Sequence, residues 1–242
     1  MIVIKGKNAV IEALQSENKV KQIIIAQGSE HSPECKQIKQ LASQFGVSVS
    51  IMPSIQFKTQ FPDQHAQQVV ATMEELSHTP LEAILKKPEE FPIIVVLDHL
   101  EDPHNMGAIA RTCAGLGVKA MLYPKDRQAP ISSGTIKASA GGIYHINLVK
   151  ITNVADTLLK LRDAGYWIFG TDSETGEALP RVKPQFPCAL VVGNEGSGIS
   201  HRVLKMVDLN VRIPMSGRME SLNVSVATGI ILYSFCQQYD SI

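Results

Sequence analysis

Residues Ile93–Tyr123 read IIVVLDHLEDPHNMGAIARTCAGLGVKAMLY, and three patterns in a row set the fold class. Ile93–Leu97 is an unbroken apolar run, four of its five residues β-branched, as in a parallel strand covered on both faces. A polar loop follows, and a helix is predicted over 105–116 with Ile109, Cys113 and Leu116 on its buried stripe. A second apolar strand, Ala120–Tyr123, completes a strand–helix–strand unit. Such a crossover commits the chain to a parallel sheet.

Reading on toward the carboxyl end, the alternation continues. It predicts a helix around Ser132–Ala140, a strand over Ile143–Val149, and a helix over Asn153–Ala164 capped by Thr152 and ended by Gly165. Strands follow at Tyr166–Gly170, Cys188–Val192 and Leu209–Ile213, with a short helix from Ser200 before the last. Pro214 stops that strand because it has no amide to donate, and Ser216-Gly217 makes a turn. The final helix is expected to start near Ser221, whose hydroxyl caps its first turn. Leu222, Val226, Ile230 and Tyr233 share one face; Val224, Ala227, Ile231 and Phe235 cover another. A helix apolar almost all round is expected to be buried all round.

Toward the amino end, 1–75 read as a smaller α/β unit. Its elements are a helix over Gly6–Gln15, a strand over Val20–Ala26, a helix over Pro33–Phe45 closed by Gly46, and strands at Val47–Met52 and Gln68–Met73. Residues 76–91 hold two prolines and the charge run KKPEE, which suits a linker with a short helix. The larger unit is then 92–242. In open α/β sheets ligands sit beyond the carboxyl ends of strands, so function is sought after Leu97, Phe169, Val192 and Ile213.

Composition narrows the class of partner. Lys plus Arg number 23 and Asp plus Glu 23, so a polyanion is gripped by local patches, not by net field. No apolar run reaches the roughly 18–20 residues of a membrane span, and MIVIKGKNAV is not a secretory leader. The four cysteines form no C-x-x-C pair and read as reduced thiols of a cytosolic protein.

Three loops carry candidate chemistry. In the first, Asn105 is expected to open the helix. Arg111 lies about 200° round from Ile109, flanked by Gly107 and Gly115, which leave room for a ligand or another backbone. Asp98, His99, Asp102 and His104 match no closed zinc spacing, and no metal is expected. In the second, VVGNEGSGIS (191–200), Gly193, Gly196 and Gly198 could cradle an anion with their amides, or hug an adenine and a carboxylate. Glu195 repels a phosphate there and suits hydroxyls or a cation. Gly115–Ala120 fits G-x-G-x-x-A but runs from helix into strand, the wrong context for a dinucleotide. In the third, Ser221, Asn223 and Ser225 are polar groups at the start of an apolar helix, read either as caps or as ligand contacts.

Taken together, N-x-G-x-x-x-R at 105–111, GNEGSGI at 193–199 and IPM-x6-LNVSVA at 213–227 resemble the three ordered motifs of the SpoU/TrmH ribose methyltransferases. GKNAVIEAL near the amino terminus and HAQQVVA at 65–71 are similar to the small ribosomal-protein L30e-like substrate domain of the rRNA-directed members. The bacterial 23S rRNA guanosine-2′-O-methyltransferases are the nearest likeness; a tRNA ribose enzyme of the same fold, or a non-catalytic RNA-binding or ribosome-assembly protein on the same scaffold, stays open. The resemblance implies S-adenosylmethionine as methyl donor, RNA as substrate, a homodimer, and a deep trefoil knot at the carboxyl end. It carries cofactor contacts onto Gly193, Ile213 and Leu222, with Thr171 and Met215 as neighbours. It makes Arg111 essential, and has Asn105, Glu195, Ser221 and Asn223 place Arg111 and the ribose. The family assigns proton removal to the motif arginine, yet a guanidinium keeps its proton to about pH 12, so phosphate binding and hydroxyl orientation are the alternative task. Lys5, Lys7, Lys19, Lys21, Lys125, Arg127, Lys137, Arg202 and Arg218 are candidate phosphate contacts.

Overall fold

The structure is a computed structural model describing residues 2–15, 20–62, 68–73, 76–172, 175–217 and 221–239. Its strands fall into a four-stranded and a seven-stranded sheet. The smaller has the order β1-β4-β2-β3, from β1 (Ile2–Lys5), β2 (Val20–Ala26), β3 (Ser48–Met52) and β4 (Val69–Met73). β4 runs antiparallel to β1 and β2, whereas β2 and β3 are parallel. α1 (Lys7–Gln15), α2 (Pro33–Gln44) and α3 (Ser54–Gln60) join them. Ser32 caps α2 by accepting from the Cys35 amide at 3.3 Å, Pro33 needs no donor there, and Gly46 closes it at φ +67°. The sequence reading lacked β1 and α3. His65, Ala66 and Gln67 of the HAQQVVA stretch, with Lys19 and Arg218, lie outside the described residues.

The larger sheet is parallel at every pairing, in the order β7-β6-β5-β10-β8-β11-β9. From β5 (Ile93–Leu97) the chain steps outward through β6 (Ala120–Pro124) and β7 (Asn147–Ile151). It then crosses to β8 (Trp167–Thr171) and β9 (Glu177–Ala178), and returns to insert β10 (Cys188–Val192) between β5 and β8. β11 (Leu209–Arg212) comes last. The order reverses at β5/β10, where the strands stay paired to their ends, the Asp98 amide donating to the Val192 carbonyl at 2.8 Å. Helices α5 (Pro103–Gly115), α6 (Ser133–Ala138) and α9 (Val224–Gln238) pack on one face; α4 (Leu81–Leu85), α7 (Val154–Asp163) and α8 (His201–Leu204) pack on the other.

Residues 76–91 are stitched to this sheet. The Thr79 amide donates to the Leu148 carbonyl at 2.8 Å, His78 bonds the Tyr123 hydroxyl at 2.6 Å, and Ile84 is buried in the second core. The first core runs without a break from Ile4 and Val10 into Met106 and Ile136, so the two sheets share apolar packing through α6.

Several boundaries correct the sequence reading. α5 begins at Pro103, capped by Asp102, which accepts from the His104 amide at 2.8 Å; Asn105 therefore sits within the first turn instead of opening it. The strand placed at 143–149 lies at Asn147–Ile151, because Gly141 turns at φ +82° and 142–144 form a 3-10 turn. Asn153, not Thr152, caps α7, its carboxamide oxygen reaching the Asp156 amide at 3.0 Å. α9 starts at Val224, three residues beyond Ser221; Asn223 is its cap and Leu222 precedes it. Nor is α9 buried all round. Ile231, Leu232 and Phe235 are at most 1% exposed, but Val226, Ile230 and Tyr233 keep 50, 40 and 54% of their surface.

Candidate active site

A cavity of about 790 Å³ opens at the carboxyl ends of β8, β10 and β11, within the span typical of small-molecule sites. Its wall is Thr171 and Asp172 after β8, Gly193 to Gly196 and Gly198 after β10, Val211, Ile213 and Met215 along and after β11, and Ser221 to Val224, Ala227 and Ile231 leading into α9. The five candidate cofactor residues, Thr171, Gly193, Ile213, Met215 and Leu222, therefore meet in one wall. Glu195, Ser221 and Asn223 join them there.

The glycine loop is folded on itself. Asn194 and Gly198 exchange amide–carbonyl bonds at 3.0 and 2.9 Å, and the Asn194 carboxamide oxygen accepts from the Gly196 and Ser197 amides at 2.9 and 3.3 Å. Amides so engaged are not free to cradle an anion, which corrects that alternative. Gly193 is required by closeness: a Cβ there would stand 2.3 Å from the Gly198 carbonyl carbon. The loop is also tied to β5. The Asp98 carboxylate, 1% exposed, accepts from the Ser200 amide at 2.7 Å and from His99 Nδ1 at 2.9 Å, while Asn194 Nδ2 donates to the His99 carbonyl at 2.9 Å. Asp98 and Asp102 thus spend their carboxylates on backbone and imidazole.

A polar chain joins the three motif loops. Asn105, buried on α5, donates from Nδ2 to Glu195 Oε1 at 2.9 Å, and its Oδ1 accepts from Asn223 Nδ2 at 3.0 Å. Asn223 Oδ1 in turn accepts the Ser225 and Val226 amides at 2.9 and 3.4 Å, capping α9. Cap and site contact are therefore one residue's two ends. Such a chain fixes the Glu195 carboxylate against the start of α9.

Arg111 is different. It is exposed on α5 and does not line the cavity of its own chain. Beside it Ala108 and Thr112 face Val226, Gly229, Ile230 and Tyr233 of α9 across a shallow apolar depression. Gly107, read as leaving room for a ligand or another backbone, makes room for the backbone of α6: a Cβ would meet the Thr135 carbonyl oxygen at 2.4 Å. Among the described basic candidates, Lys7 pairs with Glu34 and Arg202 with Asp156, and Lys125, Arg127 and Lys137 are exposed.

Charge and chemistry point one way. Among the described residues no Lys, Arg or His lines the cavity, whereas Asp172 and Glu195 do, against an apolar wall of Val211, Ile213, Leu222, Ala227 and Ile231. That set disfavours a phosphate and suits a flat apolar ring with a cationic or hydroxylated arm. All four thiols are buried and none lines the cavity; burial pushes Cys113 up to about 12 and raises Cys188, and Cys236 adds to both. Sequence reasoning missed Asp172 and the Asp98 tie. The position of Asp172 just beyond a strand's carboxyl end was the available signal for the first; nothing in the sequence linked Asp98 to Ser200.

Comparison with known proteins agrees with this geometry. Residues 92–233 match the model of the SpoU rRNA Methylase family, and 3–79 match the RNA 2′-O ribose methyltransferase substrate-binding family. A TrmH family tRNA/rRNA methyltransferase of Bacillus subtilis, YacO, is 36% identical over 231 residues, covering 94% of this chain and 92% of its own. The AdoMet-bound rRNA methyltransferase of Sinorhizobium meliloti superposes at TM-score 0.72 with 26% identity, over 98% of this chain and 87% of that one. The SpoU methyltransferase AviRb of Streptomyces viridochromogenes, in complex with AdoMet, shares the fold at TM-score 0.73 and 22% identity, over 99% and 90%.

Proposed function

The chain belongs to the SpoU rRNA Methylase family, and from that membership we propose that it methylates a ribose 2′-hydroxyl of RNA, a guanosine of 23S rRNA, with S-adenosylmethionine as donor. The observation that carries the reading is the single cavity in which Gly193, Glu195, Ile213, Leu222 and Asn223 meet. The donor set fits the cofactor: an apolar wall for adenine, two carboxylates for hydroxyls and positive charge, and, among the described residues, no cation to repel a sulfonium. When bound, S-adenosylmethionine supplies an electrophilic methyl carbon, which the ribose oxygen takes by forming a C–O bond as the C–S electrons return to sulfur.

The chain's own residues would then position donor and acceptor. Thr171, Gly193, Ile213, Met215 and Leu222 hold the donor, largely through backbone and apolar contact. Glu195, held by Asn105 and through it by Asn223, would offer its carboxylate to the donor's positive charge, and Ser221 would help place the ribose. Arg111 binds the neighbouring phosphate and orients the hydroxyl, whose proton leaves to solvent. In-line alignment of oxygen, carbon and sulfur is the main catalytic contribution.

In this reading the protein acts as a cytoplasmic homodimer. The support is the exposed apolar side of α9, which continues onto α5 through Ala108, three residues before Arg111, and Thr112, the residue after it. Closing two copies over that depression brings each Arg111 toward the neighbouring cavity and completes the site. Residues 1–75 form an L30e-like RNA-binding domain, 76–91 the linker, and 92–242 the methyltransferase domain, whose carboxyl end is knotted. Incubation with labelled S-adenosylmethionine and separated rRNA and tRNA, with mapping of the 2′-O-methyl mark, tests the reading. A mark on 23S rRNA that Arg111→Ala abolishes is expected. A mark on tRNA alone overturns the substrate; methyl transfer by Arg111→Ala at the wild-type rate overturns the role of Arg111.

A further inference from the structure

The turn between α6 and β7 presses on α5 directly behind Arg111. A Cβ added at Gly142 would stand 2.9 Å from the Arg111 Cα, 3.3 Å from the Ala114 Cβ and 3.4 Å from the Ala110 carbonyl oxygen. These are backbone atoms or atoms fixed to backbone, so no side-chain rotation relieves the contact. Gly142 itself is not in the left-handed region, unlike Gly141 at φ +82°. Glycine at 142 is therefore demanded by closeness to α5, not by its own conformation.

The same turn is held from its other side. The Tyr144 hydroxyl donates to the Met73 sulfur at 3.7 Å, at the end of β4 in the smaller sheet. Ala140 is kept at φ +46°, a conformation that costs a non-glycine residue about 1 kcal/mol or more and persists only where surroundings dictate it. The buried Ser139 hydroxyl donates to the Ile136 carbonyl at 2.7 Å. Strand, turn and helix thus form one continuous stack from Met73 to Arg111.

We propose that Gly142 and Tyr144 are positioning residues for methyl transfer: their turn sets where α5 presents Arg111 and passes the seating of the smaller sheet on to that arginine. The inference rests on the reading that Arg111 serves the reaction. The added methyl in Gly142→Ala displaces the Arg111 backbone by several tenths of an ångström, expected to lower kcat about tenfold while the Kd for S-adenosylmethionine stays within about twofold. Gly115→Ala lies on the same helix, where a Cβ meets nothing within 4 Å, and turns over as wild type. In an Arg111→Lys background the Gly142→Ala loss shrinks below about twofold, because the two act as one unit. Tyr144→Phe, which only removes the bond to Met73, lowers kcat about two- to threefold and leaves donor affinity unchanged.

The outcomes separate the two claims. Wild-type turnover by Arg111→Lys and Arg111→Ala overturns the reading of Arg111. A loss in those variants, with wild-type turnover by Gly142→Ala and Tyr144→Phe, overturns the positioning role alone. So does a Gly142→Ala loss that persists in full on Arg111→Lys. Should Gly142→Ala fail to fold, Tyr144→Phe decides: reduced kcat at unchanged donor Kd supports the proposal, and unchanged kcat overturns it.

Discussion

The inward and outward sides of α9 are built from the same kinds of residue and meet opposite fates. Ile231, Leu232 and Phe235 are sealed against β8, β10 and α5, and the Phe235 ring meets Phe169 edge-on at 4.9 Å. Val226, Ile230 and Tyr233, one step round the helix, are about half exposed. Inside a chain, apolar character finds its partner in the same sequence. On the outward side it finds none within the chain, and it is this stripe on which the proposed dimer rests. What looks like a single buried helix is a wall with a cavity on one side and an open apolar face on the other.

The contrast breaks most sharply at neighbouring positions on α9. Ala227→Trp fills the cavity and is expected to weaken S-adenosylmethionine binding at least about 100-fold by calorimetry, since displaced ligand contacts are lost together. Val226→Asp, one residue earlier on the outward side, leaves donor binding within a few-fold but is expected to shift the protein to monomer in sedimentation. Next comes stability. Phe235→Ala should cost about 3–5 kcal/mol in denaturant unfolding at fixed concentration. Tyr233→Ala should cost the isolated subunit roughly 0.5 kcal/mol, though it weakens association. Asn223→Ala removes the cap shared by both sides, for about 1–2 kcal/mol, and frees Asn105 from one partner. An equal penalty from Phe235→Ala and Tyr233→Ala would erase the distinction between the sides.

The smallest effect is in pH. Cys236 lies on the inward side and helps raise Cys113 to about 12. Unfolding lets that thiol ionise near its ordinary pKa of about 8.5, whereas the folded state keeps it neutral. The unfolded chain then binds fewer protons, so stability is level below about pH 8.5 and falls as pH rises toward 12, by up to about 1.4 kcal/mol per unit for this group. Cys113→Ala should flatten that decline; an unaltered slope in thermal melts from pH 8 to 10.5 would reject the buried thiol as its source.

The fold was legible where local pattern and tertiary role agree. Ile93–Leu97 and Cys188–Val192 are apolar without interruption because both faces are covered, and they are the central strands. The turn at 141–145 hid its 3-10 geometry because Ile143 and Tyr144 carry strand propensity; only Gly141 hinted otherwise. Asn153 and Asn223 displaced Thr152 and Ser221 as caps because carboxamides reach two residues onward as well as hydroxyls do, and the side-chain type alone does not rank them. In the site, Gly193, Glu195 and Asn223 were legible as members of short motifs. The bonds joining Glu195 to Asn105 and Asn105 to Asn223 span 90 and 118 positions, beyond any local pattern. The exposure of the outward face of α9 was illegible because Val226, Ile230 and Tyr233 are as apolar as the residues on its buried side.

The placement of the cavity walls imposes an order on synthesis. Every wall residue comes from Thr171 or later, and the last of them is Ile231. A growing chain therefore owns its complete four-stranded sheet by Met73, more than half its length before the pocket can exist. Translation stopped at residue 220 yields every strand and no α9. In the proposed reading the smaller sheet's sequence is complete long before the donor pocket is, and donor binding waits for the residues that lead into α9.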